Sequence, residues 1–282
     1  MFAETILLIA AIISLSILLV FSFFFFRLSA HKNNKDSFSH PISIIICAKD
    51  EEHNLQNNLP KILSQKYDNF EVIVVNDQST DGTTFLLEKM EKYFPNLVVV
   101  NIANHIRHRT GKKFALTLGI KTAKYNYLLL TDADCAPVSD YWINKMTGNF
   151  KKSDIVLGYG SYKKQKGLLN KFIRYDTFNV AKQYLSFSLA GQTYMGVGRN
   201  LAYKKDLFFQ NKGFASHIHV PSGDDDLFIQ EISHKNNVAI EISENAHTIS
   251  ETIENWKDWT FQKRRHISVS SLYKNKFKVW IM

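Results

Sequence analysis

Four short runs in the first half of the chain, residues 42–47, 70–76, 97–101 and 125–131, are apolar almost without interruption. A strand with one wet face alternates apolar and polar residues, so strands like these must be covered on both faces. The segments between them, 54–65, 83–93 and 113–123, carry the apolar spacing of amphipathic helices. Strand and helix in turn predict a mostly parallel sheet with helices on both faces, an α/β layer of the nucleotide-binding type. Sheets of that kind hold ligands at the C-terminal ends of their strands, although the fold alone does not decide which ligand. Past a helix expected at 139–150 the pattern is less regular. It predicts a long aromatic-rich helix at 168–187, glycine-containing stretches at 191–198 and 213–223, a short helix at 225–235, a strand at 238–242 and a helix at 256–273.

Asp132-Ala133-Asp134 stands just past the fourth apolar run. Two carboxylates at that edge can hold a hard divalent cation, which would bring a diphosphate with it. Asp-x-Asp is common by chance, and its place in the fold is what gives it weight. Asp77 follows the second run at the same edge, where a carboxylate can accept a hydrogen bond from a base or ribose. For Ser79, Thr80, Asp81 and Gly82 a well-capped loop is an equally good reading. Gly111-Lys112-Lys113 opens a predicted helix, whose free N–H groups and positive dipole suit a diphosphate. Taken alone these lysines are more simply solvated, and the segment is not a Walker A loop.

Gly223 is followed by Asp224, Asp225 and Asp226. Adjacent carboxylates repel, and at least one must titrate high unless cations lie nearby. The run is either a charged helix start or carries a general base beside metal and phosphate. Gln262 and Arg265 are three apart and share a helix face with His266. An amide and a guanidinium can hold a diphosphate leaving group, while a basic helix lying on lipid headgroups is the competing account. His217 and His219 alternate without an evident third ligand; His105, His108 and His247 read as surface or supporting residues.

Residues 5–26 carry no charge and are dominated by Ile, Leu, Ala and Phe. At about 1.5 Å per residue the run covers a hydrocarbon core of about 30 Å. A cleavable signal peptide fits less well, because a basic start and a small-residue cleavage site are both missing. Arg27, Lys32 and Lys35 follow the run and only Glu4 precedes it, so the positive-inside bias places the bulk of the chain in the cytoplasm, at a bacterial inner membrane. Residues 1–27 are thus expected to be an anchor, 28–40 a linker, 41–255 the catalytic domain, and 256–282 a basic amphipathic helix. The apolar ending 277–282 can be read as the start of a second span. Cys47 and Cys135 need no disulfide in a reducing compartment, and no histidine near Cys135 in sequence suggests a nucleophile. The net charge of +9 fits lipid headgroups, a phosphorylated substrate or nucleic acid; beside a membrane anchor the first two are favoured and nucleic acid is not expected.

In combination and order these segments resemble glycosyltransferase family 2, the inverting enzymes of the type-A nucleotide-sugar fold. The stretch 44–55 is similar to that family's first strand and loop, and residues 76–83 to its Asp-Asp-x-Ser-Thr-Asp-Gly-Thr signature, with Asn76 in place of the first acid. Gly111-Lys112 with Ala115-Leu116 resembles the phosphate-side helix, Asp132-Ala133-Asp134 the metal motif, and Asp224-Asp225-Asp226-Leu227 the acceptor-site acids. Gln262-Lys263-Arg264-Arg265-His266 resembles the Gln-x-x-Arg-Trp motif of membrane-bound members.

The resemblance implies a membrane-anchored, metal-dependent hexosyltransferase that moves a sugar from a UDP-sugar (hexose or N-acetylhexosamine) to a lipid or glycan acceptor. Ala48, Glu51, Asp77, Lys112 and Asp132 would bind the donor, and Asp134 would ligate Mg²⁺ or Mn²⁺. Asp224 would deprotonate the acceptor, with Gln262 and Arg265 at the leaving group. Gly223 where many members have Glu, and His266 where they have Trp, weaken the case for processive synthesis. A processive synthase and an inactive nucleotide-sugar-binding partner are the alternatives.

Overall fold

The computed structural model describes residues 2–33, 38–103 and 111–281, with side chains as far as 278. Lys35, His105, His108 and part of the expected linker lie outside the described residues.

The four apolar runs form strands β1 (Ile42–Ala48), β2 (Phe70–Asn76), β3 (Leu97–Asn101) and β4 (Tyr127–Leu130). They are parallel, in the order β3-β2-β1-β4. Helices α2 (Glu52–Leu63), α3 (Thr83–Glu91) and α4 (Lys112–Thr122) connect them. Successive side chains of a strand point to opposite faces, and both faces here are dry. Ile44, Ile46, Val72, Val74 and Leu129 pack under α2 and α3 with Leu55, Leu59 and Leu87. Ile45, Ile73, Val75, Leu128 and Leu130 pack under α4 with Ala115, Leu116 and Ile120. Close approach of α4 depends on Gly119, where a Cβ would lie 2.7 Å from the Ile45 Cγ2.

The sheet continues through β8 (Leu201–Lys204), β6 (Ile155–Leu157) and β9 (Val238–Ile240) to seven strands. β8 runs antiparallel to both β4 and β6, so the sheet is mixed beyond β4. A second, three-stranded sheet joins β5 (Cys135–Pro137), β10 (Thr248–Ser250) and β7 (Gly160–Tyr162). These short strands, β9 apart, carry too few residues to show a period in sequence. The helix expected at 139–150 is α5 (Trp142–Thr147) with a 3₁₀ turn after it.

The second half also contains α6 (Leu168–Leu189), α7 (Lys205–Gln210), α8 (Asp226–Ile232) and α9 (Trp256–Ser270). A break after α9 leads into α10 (Asn275–Ile281) instead of one continuous basic helix. Phe277 of α10 is buried in the main core, and the Lys274 N–H donates to Gln230 Oε1 at 2.8 Å.

The apolar N-terminal run is α1 (Phe2–Ser29), long and apolar enough to cross a membrane and with none of its residues buried. Its last turns rest on α6. Phe24 stacks on Phe187 with ring centroids 4.2 Å apart, and Arg27 Nη1 donates to the Leu189 carbonyl at 3.3 Å. Phe38, inside the stretch 28–40 expected as a linker, is buried beside Tyr127 and Phe150 and already belongs to the core.

Candidate active site

The C-terminal ends of β1, β2 and β4 lie side by side in the sheet, which brings together three loops far apart in sequence. Asp50, after β1, adopts a left-handed backbone, and its carboxylate accepts the Thr80 N–H at 2.6 Å. In return Ser79 Oγ accepts the Asp50 N–H at 2.9 Å. Asp81 accepts from the Glu52 and Thr83 amides at 3.1 and 3.0 Å, so it caps two helices at once. The stretch Ser79 to Gly82 is thus a clamp between loops. Asn76 donates to Thr84 Oγ1 and Asn101 Oδ1, each at 2.9 Å. A carboxylate could not donate to that amide oxygen, which gives asparagine a physical reason to stand there.

Asp77 is buried, and its N–H donates to the Ala48 carbonyl at 2.8 Å. Its Oδ2 accepts the Gly111 N–H at 3.1 Å, tying β2 to the start of α4. Its Oδ1 is shielded from solvent and has no hydrogen-bond partner among the described residues. A buried acceptor of this kind is normally satisfied, and a nucleobase N–H is a fitting donor.

Lys112 opens α4 and points between two carboxylates, with Nζ 2.8 Å from Asp132 and 3.3 Å from Asp224. The expected diphosphate-side lysine therefore carries two carboxylate contacts of its own. Burial works against its charge, yet Asp132, Asp224 and Asp225 together hold the ammonium well above the ordinary lysine range. Burial also pushes Asp132 upward, but Lys112 outweighs it and the carboxyl titrates low. No ammonium pairs with Asp134 among the described residues. Burial and the charge of Asp132 push it up. Glu51 is likewise raised, first by burial and then by Asp134 and Asp132, while its side chain accepts from Asn54 at 2.6 Å.

The ligand atoms of Asp132, Asp134 and Cys135 lie within 4.8 Å of one another. Two crowded carboxylates, one pushed up by the other, fit a hard divalent cation. The thiol does not. Burial pushes Cys135 well above the ordinary thiol range, and its Sγ is 3.0 Å from Ser250 Oγ. It stays protonated, and its Sγ donates to Asp134 Oδ1 at 3.4 Å. Cys47 in the cleft wall is also pushed up by burial, so neither cysteine is a nucleophile.

The cleft is lined by Cys47, Lys112, Asp132, Gly198, Asp224 and Asp225, among others. The three acids before α8 have separate environments. Asp224 faces Lys112. Asp225 accepts the Gly198 N–H at 2.8 Å, and burial with its acidic neighbours pushes it up to about 7. Asp226 is raised by burial and accepts the Tyr273 hydroxyl at 2.6 Å. Gly223 turns the chain into this run at φ 94°, and a Cβ there would lie 2.7 Å from Leu227 Cδ1. α9 approaches from above. Tyr162 bridges to Gln262 Oε1 at 3.5 Å, and the Arg265 charge is near enough to lower Asp132.

One participant escaped sequence reading. Arg199, in the loop before β8, lies over the Tyr162 ring at 4.7 Å and adds positive potential at Asp132 and Asp134. Its only sequence signal is a place in the glycine-containing stretch 191–198 and its sequel. His217 is not positioned as a metal ligand: Lys113 Nζ lies 2.7 Å from its Nδ1 and donates to its carbonyl at 2.6 Å.

A family profile for Glycosyl transferase family 2 matches residues 43–209, more than half of the chain. The chain belongs to glycosyltransferase family 2. The matched span carries Ala48, Glu51, Asp77, Lys112, Asp132 and Asp134 and ends before Asp224 and α9. Among curated relatives, an uncharacterized glycosyltransferase of Haemophilus influenzae is 30% identical over 121 residues, 43% of this chain and 36% of the relative. The poly-beta-1,6-N-acetyl-D-glucosamine synthase of Staphylococcus aureus is 30% identical over 135 residues, 46% of this chain and 31% of the relative. The chain thus spans about a third of the length of these relatives. A mannosyltransferase from Pyrobaculum calidifontis, solved with GDP-Man and Mn²⁺, superposes with TM-score 0.71 at 20% identity, covering 94% of this chain and 73% of that one. TarS of S. aureus superposes with TM-score 0.55 at 18% identity, covering 75% and 60%. At these identities the likeness shows the fold, which is the type-A glycosyltransferase fold preceded by one apolar helix.

Proposed function

We propose that this family 2 transferase moves a hexose or N-acetylhexosamine from a UDP-sugar to a hydroxyl of a lipid or glycan acceptor, inverting the anomeric centre. In this reading α1 anchors the enzyme in a membrane and the catalytic domain faces the cytoplasm. The observation that carries the proposal is the meeting at one sheet edge of Asp77, the pair Asp132 and Asp134, and Asp224, under the basic face of α9.

Asp77 Oδ1, buried and without a partner among the described residues, is an acceptor that the imide N–H of uracil would satisfy. Asp132 and Asp134 would hold Mg²⁺ or Mn²⁺, which when bound screens the diphosphate and eases its departure. Ala48 and Glu51 border the base and ribose side. Lys112 and Arg265 offset negative charge developing on the leaving group, and Gln262 seats the sugar or diphosphate. Asp224 takes the proton of the acceptor hydroxyl as its oxygen bonds to the anomeric carbon and the diphosphate leaves from the opposite face. Its contact with Lys112 ties base and phosphate side together, so a donor that draws the ammonium toward its diphosphate also uncovers the base.

The likeness to a polysaccharide synthase supports a second reading, in which the chain adds sugars repeatedly. One assay separates the readings. Full-length protein is given UDP-sugars with Mn²⁺, Mg²⁺ or EDTA and its own membrane lipids as acceptors. We expect UDP release from one donor, lost with EDTA and with Asp134→Ala, and reduced about 10²- to 10⁴-fold by Asp224→Asn. A product lengthening with time selects the synthase. No donor binding in the presence of metal refutes the assigned nucleotide site.

A further inference from the structure

α6 carries a face that the domain does not bury. Leu168, Phe172, Tyr175 and Lys182 follow steps of four, three and seven and so lie on one side of the helix, with Phe178 on its flank. Leu168, Tyr175 and Phe178 are 79%, 66% and 55% exposed. A run of bare aromatic side chains on one helix face is not the surface of a helix in water.

The C-terminal end of the same face is covered, and what covers it is α1. The Lys182 ammonium, on that face, lies over the Phe25 ring at 4.3 Å, and round the helix from it the buried Phe187 stacks on Phe24. Phe25 sits at Lys182, while Arg27 reaches Leu189. Moving toward the N-terminus of α1 is therefore moving toward the bare half of α6. The bare aromatics lie on the side from which α1 leaves the domain.

α9 widens the surface. Phe172 touches Trp256 and Trp259 at ring distances of 5.8 and 5.1 Å, and Lys263 pairs with Asp176, so the two helices lie alongside each other. Trp256 and Ile267 are 52% and 65% exposed. Exposed lysines and arginines flank the aromatics: Lys171 and Arg174 on α6, Lys257 and Arg264 on α9. Aromatic rings edged by cations are the composition that rests at the headgroup level of an anionic bilayer.

We infer that the bare halves of α6 and α9 form a membrane-contact face that lays the catalytic domain flat on an anionic bilayer beside the anchor. The inference rests on reading α1 as a membrane span. It adds that the domain is docked and not merely tethered. In that posture α9 rests its Trp256 and Ile267 side on lipid while Gln262 and Arg265, on other sides of the same helix, stay at the cleft, which is thereby held close to the headgroups where a lipid-borne acceptor presents its hydroxyl.

Spin labels test this in the full-length protein, in nanodiscs of phosphatidylethanolamine and phosphatidylglycerol, in a Cys47→Ala, Cys135→Ser background. Labels go on Tyr175→Cys and Phe178→Cys, on Tyr93→Cys at the far edge of the sheet, and on Ile13→Cys in α1. These sites are exposed, so the label itself does not disturb the core. We expect the ratio of oxygen to water-soluble nickel collisions at 175 and 178 to exceed that at 93 several-fold and to approach that at 13. Nickel access at 175 equal to that at 93, with 13 in lipid, overturns the docked face and leaves the anchor standing. Shielding at 175 from both oxygen and nickel means a protein contact and also overturns it. Nickel access at 13 refutes the anchor itself.

Discussion

Lys112→Met tests the electrostatic core of the site before any substrate is known. The ammonium lies 2.8 Å from Asp132 and 3.3 Å from Asp224, and methionine keeps the length of the side chain while removing the charge. Breaking a fully buried pair costs about 3–5 kcal/mol because the orphaned charge remains in place. The Lys112 side chain is 38% exposed and that of Asp132 31%, so water screens part of the loss. Asp224, at 8%, has less access to water and carries most of the penalty. A destabilisation of about 1–3 kcal/mol follows, or roughly 2–12 °C in Tm for a domain of this size. Thermal unfolding in detergent reads it. Asp224→Asn beside Lys112→Met should recover part of the loss, since it neutralises the charge left behind. A Tm for Lys112→Met equal to or above that of the wild type, or a double variant no better than the single one, would refute the view that Lys112 is the counter-charge of these acids.

Asp225 gives a prediction with a sign. Its carboxyl titrates at about 7 in the folded chain and near 3.9 when unfolded. Between those values the folded state binds the extra proton, so this group takes away stability as pH rises from about 4 to 7. Asp225→Asn keeps an acceptor for the Gly198 N–H, and its gain in Tm over the wild type should be larger at pH 8 than at pH 5; an equal gain at both would refute the raised titration. Gly223→Ala meets both a left-handed φ and Leu227 at 2.7 Å, which together should cost about 1–3 kcal/mol. A circular-dichroism melt unchanged by Gly223→Ala would show that the turn into the acidic run is not constrained in this way.

Periodicity reaches far into this chain and then stops for definable reasons. The parallel half of the sheet was legible because each strand is buried on both faces and each helix on one, which leaves two unlike apolar patterns in the sequence. The short strands β5 to β8 and β10 were not, since three or four residues cannot display a period and their pairing is set by partners far along the chain. β8, for example, pairs with β4 across 70 residues and reverses the sheet's direction there. The break between α9 and α10 was hidden in the same way: Tyr273 leaves the helix to reach a buried carboxylate on α8.

The sequence by itself determined the family, the α/β layer, the apolar N-terminal helix and the residue types in the cleft, because these depend on local pattern and on motif order. Only the tertiary structure decided how the charges are shared. Three adjacent aspartates look equivalent on the page, yet one faces Lys112, one takes a backbone N–H and one takes a tyrosine hydroxyl. Arg199 came to the acidic pair by folding alone, because the loop before β8 is carried there by antiparallel pairing with β4. The exposed aromatics of α6 gained a direction in the same manner. Their spacing is local, but that α1 covers one end and leaves the other bare is a fact of packing.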